Sequence, residues 1–148
     1  MATAVFYHHT RSAIEDTLRT VLRRAMGQGW RVMIRSPDAA ALTRLDAALW
    51  LGDAEAFVPH GLAGGPHDGD QPVLLGSGPV GNGAQGLVLL DGAVTEAAEA
   101  KGLDRVWVLF DGADSDAVAR ARGLWRLLPV AEYWSEEAER WEKKATKP

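Results

Sequence analysis

Apolar positions in the first third of the chain alternate between two spacings. A short apolar run at 3–7 precedes apolar residues at intervals of three and four over 12–26, and a second apolar run at 30–35 precedes the same helical spacing over 37–50. Such intervals place side chains on one face of a helix. The order predicts strand, helix, strand, helix, which is typical of a parallel sheet with covering helices.

The rest of the chain continues this pattern after an aperiodic stretch at 51–72. The sequence predicts strands at 73–75, 87–90 and 105–110, and helices at 94–101 and 114–128. Residues from 132 onward form a charged tail with three aromatic side chains. We therefore expect one domain over 1–148, an α/β/α sandwich with a Rossmann-like, mostly parallel sheet of about five strands.

Polar residues at the predicted helix starts indicate how the helices are capped. Ser12, with Glu15 three residues later, has the spacing of a capping box. Asp38 opens the second helix, and Asp114 or Ser115 is expected to cap the last one.

Composition excludes several classes of protein. The 148 residues include no cysteine, which excludes disulfides, thiolate metal sites and a cysteine nucleophile and fits a reducing cytosol. We expect no signal peptide and no membrane span, because neither a basic leader with an apolar core nor a long apolar run occurs. The pI of about 5.5 argues against autonomous binding to nucleic acid.

Arginine is concentrated near the start of the chain, with six Arg and only two acidic residues in 1–35. A solvated helix face, a patch for an acidic partner and a nucleic-acid-binding module are the three interpretations of this bias. The acidic pI disfavours the last of them.

The glycine-rich segment 76–86 contains a formal G-x-G-x-x-G from Gly76 to Gly81, directly after a predicted strand. A dinucleotide site needs a helix that begins at the third glycine, and no helical pattern follows Gly81. We predict a mobile, hairpin-like loop without a ligand and no phosphate loop. The alternative function is a small α/β nucleotide-binding protein or enzyme that uses this loop.

The remaining polar residues predict no catalytic, cofactor or metal site. A metal could be held only if His60, His67, Asp68 and Asp70 converged, and loops of this composition are common without metal. Asp91 and Asp111 follow predicted strands, but a glycine follows each, which favours turn formation.

The chain contains six Trp residues, which is a large number for a domain of this size. Trp30 and Trp107 lie in predicted strands and are expected in the core. Trp50 ends a helix, and Trp125 lies among arginines on the last helix. Exposed aromatic and Arg side chains dominate binding hot spots, so these two Trp are candidates for partner contacts.

Residues 45–64 carry a specific pattern. Leu-Asp-Ala-Ala-Leu-Trp at 45–50 and Phe-Val-Pro-His-Gly-Leu-Ala-Gly at 57–64 resemble the signature L-D-x-x-L-W…F-V-P-H-x-L-x-G of the chi subunit of bacterial DNA polymerase III. The resemblance implies a noncatalytic accessory subunit of the clamp-loader assembly in the bacterial cytoplasm. It also implies a Rossmann-like sandwich that lacks the phosphate loop.

The resemblance implies two protein partners and only indirect contact with DNA. Residues matching the family's stretch for the psi subunit, or for an equivalent clamp-loader protein, are Trp50, Phe57, Val58, Pro59 and His60.

The family's last helix binds the acidic C-terminal tail of the single-stranded DNA-binding protein, which ends in Asp-Phe or a similar pair. The matching residues here are Arg122, Trp125 and Arg126, with Arg120 nearby. Arg pairs with carboxylates through two parallel hydrogen bonds, and Trp can receive the terminal ring.

Overall fold

A computed structural model describes residues 3–51, 59–137 and 140–147. The described helices are α1 (Ile14–Gly27), α2 (Ala39–Trp50), α3 (Ala97–Lys101) and α4 (Ser115–Leu127), and one 3₁₀ turn lies at Asp68–Asp70. The described strands are β1 (Thr3–His9), β2 (Val32–Arg35), β3 (Gly61–Leu62), β4 (Val73–Gly76), β5 (Gly86–Leu89), β6 (Arg105–Asp111), β7 (Ala131–Glu137) and β8 (Arg140–Lys147).

The strands form one sheet in the order β3-β4-β2-β5-β6-β1-β7-β8. Every pair is parallel except β7 and β8, which are antiparallel. Helices α1 and α2 bury apolar side chains against one face, and α3 and α4 bury theirs against the other. The predicted three-layer α/β/α sandwich is confirmed.

The expected number of about five strands is wrong. β3 lies within the segment that shows no periodicity. β7 begins at Ala131 and continues into the charged tail from 132, which also contains β8. α3 begins at Ala97, three residues later than the pattern indicates.

The glycine-rich segment is a crossover and not a hairpin. β4 and β5 run parallel and lie on opposite sides of β2, so residues 77–85 return along the sheet between them. Buried Asn82 fixes this path, because its amide donates to the carbonyls of Val32 and Gln71. The Arg31 guanidinium also donates to the Asn82 carbonyl. The mobility of the segment stays a prediction.

Of the two predicted helix caps, the one at Asp114 is confirmed, and Asp38 opens α2 as expected. Asp38 accepts backbone hydrogen bonds at the start of α2, and Asp114 does so at the start of α4. The capping box at Ser12 is wrong: Ala13 occupies the N-cap position with no side-chain hydrogen bond. The Ser12 backbone N–H instead donates to Glu136, which belongs to β7.

Among the residues that the structure describes, no helix combines the length and the apolar character needed to cross a membrane.

Candidate protein-binding surfaces

The outer face of α4 carries a cationic group of side chains around one indole. Arg122, Trp125 and Arg126 are separated by three and four positions and share this face of the helix. Both guanidinium groups are exposed and Trp125 is half-buried. The last turns of α4 therefore present positive charge on a protein whose net charge is −4.

The indole of Trp125 is fixed in position by two aromatic rings of the sheet. Its centroid lies 5.5 Å from that of Phe6 and 5.9 Å from that of Tyr133, and both pairs are edge-to-face. Such pairs are favourable beyond the area that they bury. Trp125 thus packs on the core with one part and remains accessible with the rest.

Lys147, at the end of β8, joins this group and was not predicted. Its ammonium donates a hydrogen bond to the carbonyl oxygen of Trp125 and lies 5.2 Å from the indole centroid. The antiparallel pairing of β8 with β7 places Lys147 opposite Ala131, beside the end of α4. No local signal in the sequence indicates this contact, because it depends on the pairing of two strands that the pattern did not predict.

We refer to Arg122, Trp125, Arg126 and Lys147 as the α4 surface. The structure does not bring Arg120 into it. Arg120 is two residues from Arg122 and so lies on another side of the helix, where its side chain covers the space next to Gly92.

Tyr133 forms the floor beneath Trp125 and remains a neutral phenol. Burial raises the pKa of its hydroxyl, and the nearby charge of Arg122 only partly opposes this. The hydroxyl lies 2.7 Å from Nδ1 of His8. No anion therefore forms at Tyr133 near neutral pH, and the α4 surface keeps its positive charge.

A second surface, here called the α2 surface, is apolar and lies where α2 ends. Trp50 is 56% exposed, Leu51 69% and Leu62, in β3, 42%. Pro59 is also exposed. Trp50, Leu51 and Leu62 are three of the five exposed large apolar side chains among the described residues. Exposed apolar residues in one region are typical of a protein-binding site.

Of the residues predicted for a psi-like partner, Phe57 and Val58 lie outside the described residues. The ring of His60 lies 4.8 Å from that of Trp50.

His60 is buried and supports this region from within. Its Nε2 lies 3.0 Å from an Asp46 carboxylate oxygen and 3.1 Å from the Asp46 carbonyl oxygen. These contacts attach the segment before β3 to α2. His67 is exposed and lies 4.0 Å from Asp70, so His60 and His67 have different carboxylate neighbours. In the described ranges, no three potential metal ligands come together.

The crossover offers no helix N-terminus for a phosphate, because no helix begins within 77–85. A cavity of about 470 Å³ lies beside it, with Arg35 at its wall. The Arg35 guanidinium forms two 2.7 Å hydrogen bonds with Glu99 and also donates to the carbonyls of Gly78 and Val94. The hydrogen bond from Arg35 holds the pKa of Glu99 below its usual value, so the pair remains ionised. Arg35 therefore fixes the fold around the cavity, and each of its three guanidinium nitrogens already has an acceptor.

Comparison with known proteins identifies one family. Residues 1–134 match the family described as DNA polymerase III chi subunit, HolC. The chain is similar to the DNA polymerase III subunit chi of Escherichia coli K12, at 42% identity over 64 residues, which is 43% of this chain and 44% of that protein. It is similar to the subunit of the same name from Pseudomonas aeruginosa, at 43% identity over 60 residues, 40% of this chain and 41% of that protein. The aligned part is less than half the length of either relative.

Proposed function

The chain belongs to the DNA polymerase III chi subunit family, and from that premise we propose that it is a noncatalytic adaptor in bacterial DNA replication. It would connect the clamp loader, through a psi subunit or an equivalent protein, to the C-terminal tail of the single-stranded DNA-binding protein. It would act in the cytoplasm at the replisome and contact DNA only through these partners. An acidic pI of about 5.5 supports indirect contact with DNA, because direct binding to a phosphate backbone needs a basic face.

The observation that carries the proposal is the α4 surface. Three cations surround one half-buried indole there, on a protein that is acidic as a whole. An acidic peptide that ends in Phe supplies carboxylates for Arg122, Arg126 and Lys147 and one ring for Trp125. Arg120 lies outside this group, so we expect it to contribute less to binding, through its charge alone.

The α2 surface supports a psi-like partner. Trp50 and Leu51 expose more than half of their surface, and exposed Pro59 directly precedes buried His60, whose ring lies 4.8 Å from that of Trp50. An apolar helix of the partner would cover them, with Phe57 and Val58 proposed to take part. Large aromatic side chains at the centre of such contacts supply most of the binding free energy.

Peptide titration tests the tail site. A fluorescently labelled acidic peptide ending in Asp-Phe is titrated with wild type, Arg122→Ala and Trp125→Ala, and the anisotropy is recorded at two salt concentrations. Removing Arg122 leaves a peptide carboxylate without its donor, so the affinity should fall about tenfold to a hundredfold. The affinity of wild type should fall as salt rises. Trp125→Ala should weaken binding but keep the salt dependence, because its contact is apolar.

Arg44→Ala is the matched control, since Arg44 is an exposed arginine on α2. It should bind the peptide like wild type. Unchanged affinity of Arg122→Ala, with a native circular dichroism spectrum, would reject the α4 surface as the tail site.

A further inference from the structure

A third region of the molecule, which we call the aromatic cleft, lies away from both surfaces. It is a cavity of about 210 Å³ between the second half of α1 and the beginnings of β1, β6 and β7. Its walls are defined by Tyr7, Arg24, Trp30, Arg105, Glu132 and Trp134. Trp107, which is 5% exposed, closes its floor and lies 6.3 Å from Trp30 between ring centroids.

Two guanidinium groups, those of Arg24 and Arg105, line the aromatic cleft. Within 3–51, 59–137 and 140–147, the Nε of Arg105 is buried without a hydrogen-bond acceptor. Arg105 stacks over Trp30, with Cζ 5.8 Å from the ring centroid. No ion pair of the described residues includes Arg24 or Arg105. Buried N–H donors are nearly always satisfied in proteins, so this site calls for an acceptor.

The nearby Glu132 carboxylate leaves the buried Nε of Arg105 without a hydrogen-bond acceptor. Burial alone would raise the pKa of Glu132, but Lys143 at 3.2 Å, the Nε1–H of Trp134 and the charge of Arg105 together hold it below the usual value. The C-terminal end of α1 carries only about half a negative charge. Two full guanidinium charges exceed this half charge and the single charge of Glu132 together, so the cleft attracts an anion.

The shape of the cleft defines the rest of the ligand. Indole and phenol rings bind flat apolar groups face to edge or in offset stacks. Sites for larger ligands enclose about 300–1,000 Å³, so the inner cleft suits a single ring. Arg recognises a carboxylate through paired, charge-assisted hydrogen bonds. We propose that the aromatic cleft binds a small aromatic carboxylate, with the carboxylate on Arg24 and Arg105 and the ring between Trp30 and Trp134.

Indole NMR signals test this proposal. In ¹H–¹⁵N spectra, each Trp gives one Nε1–H signal, assigned through single Trp→Phe variants. N-acetyl-L-phenylalanine should shift the signals of Trp30 and Trp134 and leave that of Trp50 in place. N-acetyl-L-phenylalaninamide, which lacks the carboxylate, should shift none of them. Equal shifts with the amide would overturn the role of the two arginines, and the absence of shifts with the acid would overturn the site.

Matched arginine variants locate the contact. Arg24→Met should weaken binding by at least about tenfold, because a charge-assisted hydrogen bond is lost. Arg23→Met, which changes the neighbouring exposed arginine, should bind like wild type. An equal loss of binding affinity in Arg24→Met and Arg23→Met would show a nonspecific effect of charge and would reject the site. Arg105→Lys, which keeps the charge but not the fork of donors, should also weaken binding if it folds natively.

A third ligand separates a free acid from a chain terminus. A tetrapeptide that ends in phenylalanine carries the same carboxylate and ring. Shifts with this peptide, but not with N-acetyl-L-phenylalanine, would overturn the proposal of a small ligand in favour of a peptide terminus. Shifts confined to Trp125 would place binding on the α4 surface and also reject the cleft. The outcome is independent of the tail titration, which reports on α4.

Discussion

The carboxylate of Glu136 holds the turn that follows β1. It accepts hydrogen bonds from the backbone N–H groups of Thr10, Arg11 and Ser12, at 3.1–3.2 Å. Burial alone would raise the pKa of Glu136, but the three backbone donors outweigh it and hold the pKa below its ordinary value of 4.5. The ionised form is therefore the one that stabilises the fold.

Glu136→Gln should lower the free energy of unfolding at neutral pH by about 1–3 kcal/mol, because it removes a charged acceptor from three donors. A carboxyl whose pKa is depressed in the folded state contributes its stability above the ordinary pKa and loses it as the pH falls through the folded value. The difference from wild type should accordingly shrink below pH 4.5. Urea unfolding of both proteins at several pH values between neutral and acidic measures this difference in stability.

Glu137→Gln is the control for this prediction. Glu137 is exposed and forms an ion pair with Lys144 at 2.8 Å, and exposed ion pairs contribute little to stability. It should unfold almost like wild type. If Glu136→Gln lowers the free energy of unfolding by the same amount at neutral and acidic pH, the effect does not come from the carboxylate charge.

The caps at Asp38 and Asp114 could be predicted because a cap is a local signal, with donor and acceptor two or three residues apart. The contact at Ser12 could not, because its acceptor, Glu136, lies 124 residues away. Lys147 was missed for the same reason, since it reaches Trp125 only after β8 pairs with β7.

β5 begins at a glycine because a side chain has no room there. A Cβ at Gly86 would collide with the ring of Trp107, with Cη2 at 2.7 Å. Gly86→Ala should therefore lower the free energy of unfolding by about 1–3 kcal/mol, the usual cost of overpacking a core. The shift of the urea midpoint at constant slope measures this loss.

Gly78→Ala, in the crossover that precedes β5, is the comparison. No atom lies within 4 Å of a Cβ at Gly78. It should change the stability by less than about 0.5 kcal/mol, as surface substitutions usually do. A large loss of stability in both variants would mean that the crossover and the start of β5 are sensitive to any added side chain. It would reject the collision with Trp107 as the cause.

The sequence pattern did not predict β7 and β8, because their side chains contact residues from distant parts of the chain. Tyr133 stacks on Phe6 on one side of the sheet, and Trp134 packs on the other side. Glu132 is paired with Lys143 of the neighbouring strand. Both faces of β7 are thus half-covered, and the alternation that marks a strand with one exposed face does not develop.

The two proposed partner surfaces lie at opposite ends of the sheet. The α2 surface includes Leu62 of β3, the first strand in the sheet order, and the α4 surface includes Lys147 of β8, the last. Periodicity was sufficient to predict the sandwich, and the resemblance supplied the binding residues. The separation of the surfaces follows only from the strand order, which the local pattern does not contain.

This separation predicts independent binding. Trp50→Ala should weaken binding to a purified psi-like clamp-loader partner by roughly thirtyfold, as expected for the loss of a hot-spot aromatic. It should leave the affinity for the acidic tail peptide unchanged. Trp125→Ala should show the reverse. Surface plasmon resonance with each partner immobilised measures both affinities.

Val94→Ala serves as the control, since Val94 is exposed to the same 56% as Trp50 but belongs to neither surface. It should bind both partners like wild type. If Trp50→Ala weakens binding to both partners and keeps a native circular dichroism spectrum, the two surfaces do not bind independently.

The position of β1 has a consequence for the time at which the protein can fold. Thr3 pairs with Arg105 and Ala4 pairs with Ala131, so both neighbours of this strand come late in the sequence. A ribosome therefore makes β1 roughly a hundred residues before β6 can receive it, and contacts of this separation close slowly. Until then both edges of an apolar strand stay open to pairing with other chains. Because β1 lies between β6 and β7, this side of the sheet closes last, and folding is completed only after β7 and β8 have been synthesised.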